Sequence, residues 1–127
     1  MDKLRQYEIF LRKAKGDFKI AEKNANDPDI DTEIIYFHLQ QCVEKLLKSL
    51  LSLNNVDFPR IHDIEELVAI ARDNGIELPD YVDNFIELTD FAVEFRYDFI
   101  IEDFSPPDNY LSLLKNFITF VEEKVTK

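Results

Sequence analysis

Apolar positions along the chain recur at spacings of three and four residues, the period of a helix with one buried face. Leu4, Tyr7, Leu11, Ala14, Phe18, Ala21 and Ala25 form one such stripe and predict a first helix over residues 3–25. Residues 26–31 interrupt it. Pro28 ends any helical run there, and Asp31 or Thr32 suits the cap of the next helix. Ile35, Leu39, Cys42, Leu46, Leu50 and Leu53 mark a second helix, Thr32–Leu53, whose apolar face Tyr36, Val43, Leu47 and Leu51 broaden. A face that wide predicts a central helix touching several neighbours.

Residues 54–62 read as a loop, with Phe58 an apolar plug and Pro59 fixing the backbone. Asp63 and Glu66 have the spacing of a capping box, predicting a third helix that buries Ile64, Leu67, Val68 and Ala71 and stops at Asn74-Gly75. A fourth helix begins after Pro79 and Asp80 and runs to about residue 95, burying Val82, Phe85, Leu88, Phe91, Ala92 and Phe95. Residues 97–107 form a loop around Ser105-Pro106-Pro107. The last helix covers residues 108–125 and packs through Tyr110, Leu113, Leu114, Phe117, Phe120 and Val121. The prediction is an all-α, up-and-down bundle of about five helices in a single domain over residues 1–127.

Composition agrees with that picture. Only 2 Gly and 5 Pro leave few sharp turns, whereas 11 Phe and 5 Tyr supply enough apolar area for one core without disulfide or metal. The lone cysteine, Cys42, lies in the apolar face of helix two and reads as a small core hydrophobe. The N-terminal stretch lacks the apolar run of a signal peptide, and no stretch is long and apolar enough to span a bilayer. A cytoplasmic protein is expected.

The net charge of −11 is concentrated in one place. Residues 56–109 carry 15 acidic groups against 3 basic ones, Arg60, Arg72 and Arg96. Such a surface repels phosphate backbones and makes nucleic acid an unlikely general partner, while a local basic site stays open. On helix one, Arg5, Arg12 and Lys19 recur every seven residues, with Lys15 and Lys23 nearby. They read either as a basic rail or as a solvated flank whose field Glu8, Asp17 and Glu22 dilute.

Most catalytic signatures are missing from the sequence. There is no glycine-rich phosphate loop, and the two histidines, His38 and His62, show no metal spacing, so neither metal nor cofactor is expected. Three places carry candidate chemistry. On helix two, His38, Gln41 and Lys45 share one face, and Gln40, Glu44 and Lys48 another. They suit a ligand site, or hydrogen bonds and ion pairs with neighbouring helices. Arg60-Ile61-His62-Asp63 precedes helix three, where His62 and Asp63 serve either a ligand or the helix start. Arg96-Tyr97 follows the aromatic run that ends helix four. The arginine suits the helix dipole and, equally, a phosphate or carboxylate.

Taken in order, these segments resemble the HEPN family of prokaryotic all-α domains over almost the whole chain. Tyr36-Phe37-His38-Leu39-Gln40-Gln41-Cys42-Val43-Glu44-Lys45-Leu46-Leu47-Lys48 resembles that family's Y-F-H-x-Q-Q-x-x-E-K-x-x-K helix. Phe58-Pro59-Arg60-Ile61-His62-Asp63-Ile64 resembles its proline, basic residue and H-D-L element, and Arg96-Tyr97 its R-Y pair. The resemblance implies a helical bundle that usually forms a homodimer and is often encoded beside a minimal nucleotidyltransferase, frequently as a toxin–antitoxin pair. Many members are metal-independent ribonucleases, in which a histidine roughly four to six residues after an arginine acts as general acid or base.

The chain departs from that ribonuclease pattern. After Arg96 the matching positions hold Ile100, Ile101, Glu102 and Asp103, and Arg60 precedes His62 by only two residues. Ribonuclease activity is therefore not carried over, and Tyr97 does not inherit the nucleotidylated-tyrosine role that follows the same motif. The expectation is a noncatalytic HEPN protein that binds a nucleotide or serves as partner subunit of the transferase. Its candidate contacts are His38, Gln41, Lys45, Arg60, His62, Asp63, Arg96 and Tyr97. The alternative is a ribonuclease with a rearranged site that uses His62.

Overall fold

The computed structural model describes residues 5–91 and 106–126. Among them are four α-helices, α1 (Gln6–Asn24), α2 (Thr32–Leu53), α3 (Ile64–Asp73) and α4 (Pro107–Val125), and one 3-10 helix, Asp80–Phe91, with no strand. The all-α prediction holds. No helix among the described residues is long and apolar enough to cross a membrane.

α2 occupies the centre, as the breadth of its apolar face predicts, and packs against α1, α3, α4 and the 3-10 helix. Ile35, Leu39, Cys42, Val43, Leu46, Leu47, Leu50 and Leu51 are all buried along it. Burying a Leu or Ile side chain contributes about 1.5–3 kcal/mol, so this helix dominates the core. Both of its termini are defined locally. Asp31 stands in extended conformation at the start, and the end closes with Asn55 in the left-handed region (φ 57°). There the Val56 and Asn55 N–H groups donate to the carbonyls of Leu51 and Ser52. α3 ends the same way on Gly75 (φ 77°), with Ile76 and Gly75 donating to Ala71 and Arg72, so the Asn74-Gly75 stop is where the sequence put it.

The fourth predicted helix is the main correction. Its described part is a 3-10 helix rather than an α-helix. Val82, Phe85 and Leu88 are fully buried at strict three-residue spacing, which lines up on one edge when a turn takes three residues. An α-helix would rotate them off the seam by the third turn. Residues 92–95, predicted to continue this helix, lie outside the described residues.

Phe85 ties the layers together: its ring stacks on Phe117 of α4 at 6.1 Å, and Tyr110 meets it at 6.5 Å. Tyr36 of α2 meets Tyr110 edge-on at 6.0 Å. α4 opens with Pro107 at its first position, where a missing N–H costs nothing. The exposed ion pairs Lys15–Glu122 (2.8 Å) and Arg72–Asp83 (3.0 Å) join neighbouring helices, and each contributes about 1 kcal/mol or less.

Candidate functional site

Two polar clusters lie along α2, one on each side of its buried face. The first joins α2 to α1. Lys45 Nζ donates to Asp17 Oδ2 at 2.5 Å, and His38 Nδ1 stands 3.0 Å from Asp17 Oδ1. Asp17 is buried, its side chain 11 % exposed, and it falls between the buried Ala14 and Ala21 on the inner face of α1. A buried carboxylate needs such partners, because an unpaired charge in the interior costs several kcal/mol.

The second cluster joins α2 to the loop before α3. Glu44 is at its centre, with a side chain only 5 % exposed. Its Oε1 meets His62 Nδ1 at 2.8 Å and accepts from Gln40 Nε2 at 3.1 Å. Its Oε2 accepts from Lys48 Nζ at 3.0 Å. Gln40 Nε2 also donates to the His62 carbonyl at 3.1 Å, and Gln41 Nε2 donates to Gln40 Oε1 at 2.7 Å. Burial alone would push the Glu44 carboxyl up. The hydrogen bonds from His62, Lys48 and Gln40, with the Lys48 charge, outweigh it and hold the group below its ordinary value. Glu44 is therefore ionised and can only accept, so His62 must donate from Nδ1. In the neutral ring that places the lone pair on Nε2, and the His62 side chain is 52 % exposed.

The backbone around His62 is fixed from both sides. Asp63 caps α3, accepting from the N–H of Glu65 at 3.0 Å and Glu66 at 3.4 Å, and the Ile64 N–H donates to Thr89 Oγ1 of the 3-10 helix at 3.1 Å. Phe58 plugs the same loop, its ring 6.2 Å from Phe10 and beneath Lys48 Nζ at 5.8 Å.

The structure thus brings Gln41 and His62 into the Glu44 cluster and His38 and Lys45 into the Asp17 cluster. The three helix-two candidates that share a face in the sequence are divided between them. Asp63 serves the helix start. Arg60 is exposed on the loop. Arg96 and Tyr97 lie outside the described residues. Of the two residues that organise these clusters, Glu44 was read with Gln40 and Lys48 as one polar face of helix two, and Asp17 was not among the predicted contacts. An acid set into the alanine seam of α1 was the available signal for Asp17.

Cys42 is fully buried beside these groups. Burial, reinforced by the Asp17 charge and opposed by Lys45, pushes its thiol far up, so it has no thiolate to offer. Among the described residues no group of three His, Cys, Asp or Glu side chains could hold a metal ion. A cavity of about 450 Å³ between the 3-10 helix and α4 is lined by Asp83, Asn84, Glu87, Asn109, Tyr110 and Leu113, an acidic wall unsuited to phosphate.

No curated protein and no solved structure matches the chain. The family model described as HEPN domain matches residues 7–124, nearly its whole length and across both clusters. The chain belongs to the HEPN domain family.

Proposed function

We propose that this HEPN protein is a noncatalytic binding subunit that recognises a phosphate-bearing nucleotide at the loop before α3 and works, as a homodimer, beside a minimal nucleotidyltransferase in a two-component, toxin–antitoxin-type system. The observation that supports it best is the division of labour around α2. His38, Lys45, Gln40, Glu44 and Lys48 are committed to partners within the fold, while His62 and Arg60 face solvent from a loop held by Gln40 and the α3 cap. The Arg60 guanidinium suits phosphate oxygens, and the exposed His62 ring offers them a second N–H when its Nε2 is protonated. The partner subunit and the transferase association rest on the family resemblance, as does a contact from Arg96.

The test is thermal unfolding with millimolar ATP, GTP and their diphosphates. A ligand present at about 100 times its Kd adds about 2.7 kcal/mol, a shift of several degrees, which Arg60→Ala and His62→Ala should each reduce. No shift with any nucleotide removes the reading.

A second reading, a metal-independent ribonuclease with a rearranged site, is favoured by one observation. An ionised carboxylate orients His62 as a general base would be oriented. Metal-free cleavage of RNA by the purified protein, abolished in His62→Ala, would establish it, and inactivity on varied RNAs would end it.

A further inference from the structure

We infer that His62 is a phosphoryl acceptor, its Nε2 attacking the phosphorus of a small activated donor (an acyl phosphate, a phosphoramidate or a phosphoanhydride), with Glu44 as the positioning residue. The inference rests on the phosphate recognition at Arg60 and His62 proposed above, and adds to it a covalent step at one named atom.

Three features of the Glu44 cluster carry it. The first is the tautomer. An ionised carboxylate 2.8 Å from Nδ1 keeps a proton there, so that in the neutral ring Nε2 is the nucleophilic nitrogen. The second is presentation. The Glu44 side chain is 5 % exposed and that of His62 is 52 % exposed, so the anchor is dry and the reactive edge is wet. The third is rigidity. Gln40 holds the His62 carbonyl at 3.1 Å, and the next residue, Asp63, is fixed as the cap of α3. A nucleophile held by a base-like group that a further set of contacts orients is the general plan of covalent catalysis.

The step balances without a redox partner. The Nε2 lone pair forms the N–P bond. The bond from phosphorus to the donor's leaving oxygen or nitrogen breaks, and its electron pair departs with the leaving group. The Nδ1 proton stays in place. The positive charge that the ring acquires faces the Glu44 carboxylate, which stabilises it. Arg60, two residues earlier on the same loop, is the exposed cation available to the phosphoryl oxygens.

His38 makes an internal comparison. Its Nδ1 also meets a carboxylate, at 3.0 Å, but that carboxylate is shared with Lys45. Its ring is 23 % exposed and packs edge-on against Phe37 at 5.4 Å. Reaction should therefore select His62.

The experiment incubates the full chain with acetyl phosphate and, separately, with phosphoramidate, followed by intact-mass and peptide mass spectrometry. One acid-labile, alkali-stable phosphoryl group on His62 is expected. His62→Gln should lose it, and Glu44→Gln, folded by circular dichroism, should slow labelling at least ~10-fold. Should Glu44→Gln fail to fold, nitrogen NMR of the wild-type imidazole decides the positioning role. An Nδ1–H tautomer at His62 supports it, and an Nε2–H tautomer overturns it. Absence of label, or label on His38 to the same extent, overturns the inference. Neither donor carries a base, so the two proposals fail separately. A nucleotide melting shift without labelling leaves binding and removes the acceptor. Labelling without any nucleotide shift does the reverse.

Discussion

Lys45 on α2 reaches Asp17 on α1 at 2.5 Å, and the same carboxylate meets His38 with its other oxygen. Among the described residues α1 and α2 form the most extensive helix pair, and both side chains of this contact are largely removed from water. Removing either charge strands the other. Asp17→Ala should cost about 2–4 kcal/mol and Lys45→Ala a similar amount, and the double variant should cost less than the two together. Urea unfolding of the three variants checks this. Additive losses would mean that the pair is not coupled.

Glu44 gives the fold a pH dependence of definite sign. Burial opposes its ionisation, but His62, Lys48 and Gln40 together hold its carboxyl below the ordinary value. A carboxyl depressed in the folded state contributes stability above its unfolded pKa, about 4.3, and that contribution is lost as pH falls through the folded value. The Glu44 carboxylate's share of the difference in unfolding free energy between wild type and Glu44→Gln should be lost as pH falls below about 4.3. A difference that grows on acidification would contradict this hydrogen-bond network.

Helix number, order and the central place of α2 are legible in the sequence because each rests on local periodicity and stop signals. Asn74-Gly75 and the Asp63 cap appear where predicted. The 3-10 geometry of residues 80–91 was also encoded, in the threes separating Val82, Phe85 and Leu88. Over so short a run the same three positions also fall within a broad α-helical face, so the spacing alone does not separate the two. The clusters were less legible. His38, Gln41 and Lys45 share a face by spacing, yet which neighbour each meets depends on where α1 and the α3 loop lie. Asp17, read along the chain, only dilutes a basic flank. In three dimensions it is the anion that two α2 side chains need.

Tyr110 carries a cost within the core. Its ring is buried against Tyr36 and Phe85, and its hydroxyl has no hydrogen-bond partner among the described residues. A buried, unsatisfied hydroxyl costs about 1–3 kcal/mol. Tyr110→Phe, which keeps the ring and removes the orphaned oxygen, should therefore raise stability by about 1 kcal/mol, seen as a higher urea midpoint at unchanged m-value. A loss of stability would show that the hydroxyl is paired in solution.

Cys42 separates a core role from a chemical one. It is fully buried on α2, and burial raises its thiol well above the ordinary range, with Asp17 adding to the effect. Reaction with a thiol reagent requires both access and thiolate, and the native fold supplies neither. Labelling by iodoacetamide at neutral pH should then follow global or local opening: slow in buffer, fast in denaturing urea, and accelerated in Asp17→Ala in proportion to its lost stability. Cys42→Ala should leave nucleotide melting shifts and His62 labelling intact while costing about 1 kcal/mol through the small cavity left behind. Rapid native labelling would show instead that the α1–α2 seam opens on its own, and that the Asp17 cluster does not hold it shut.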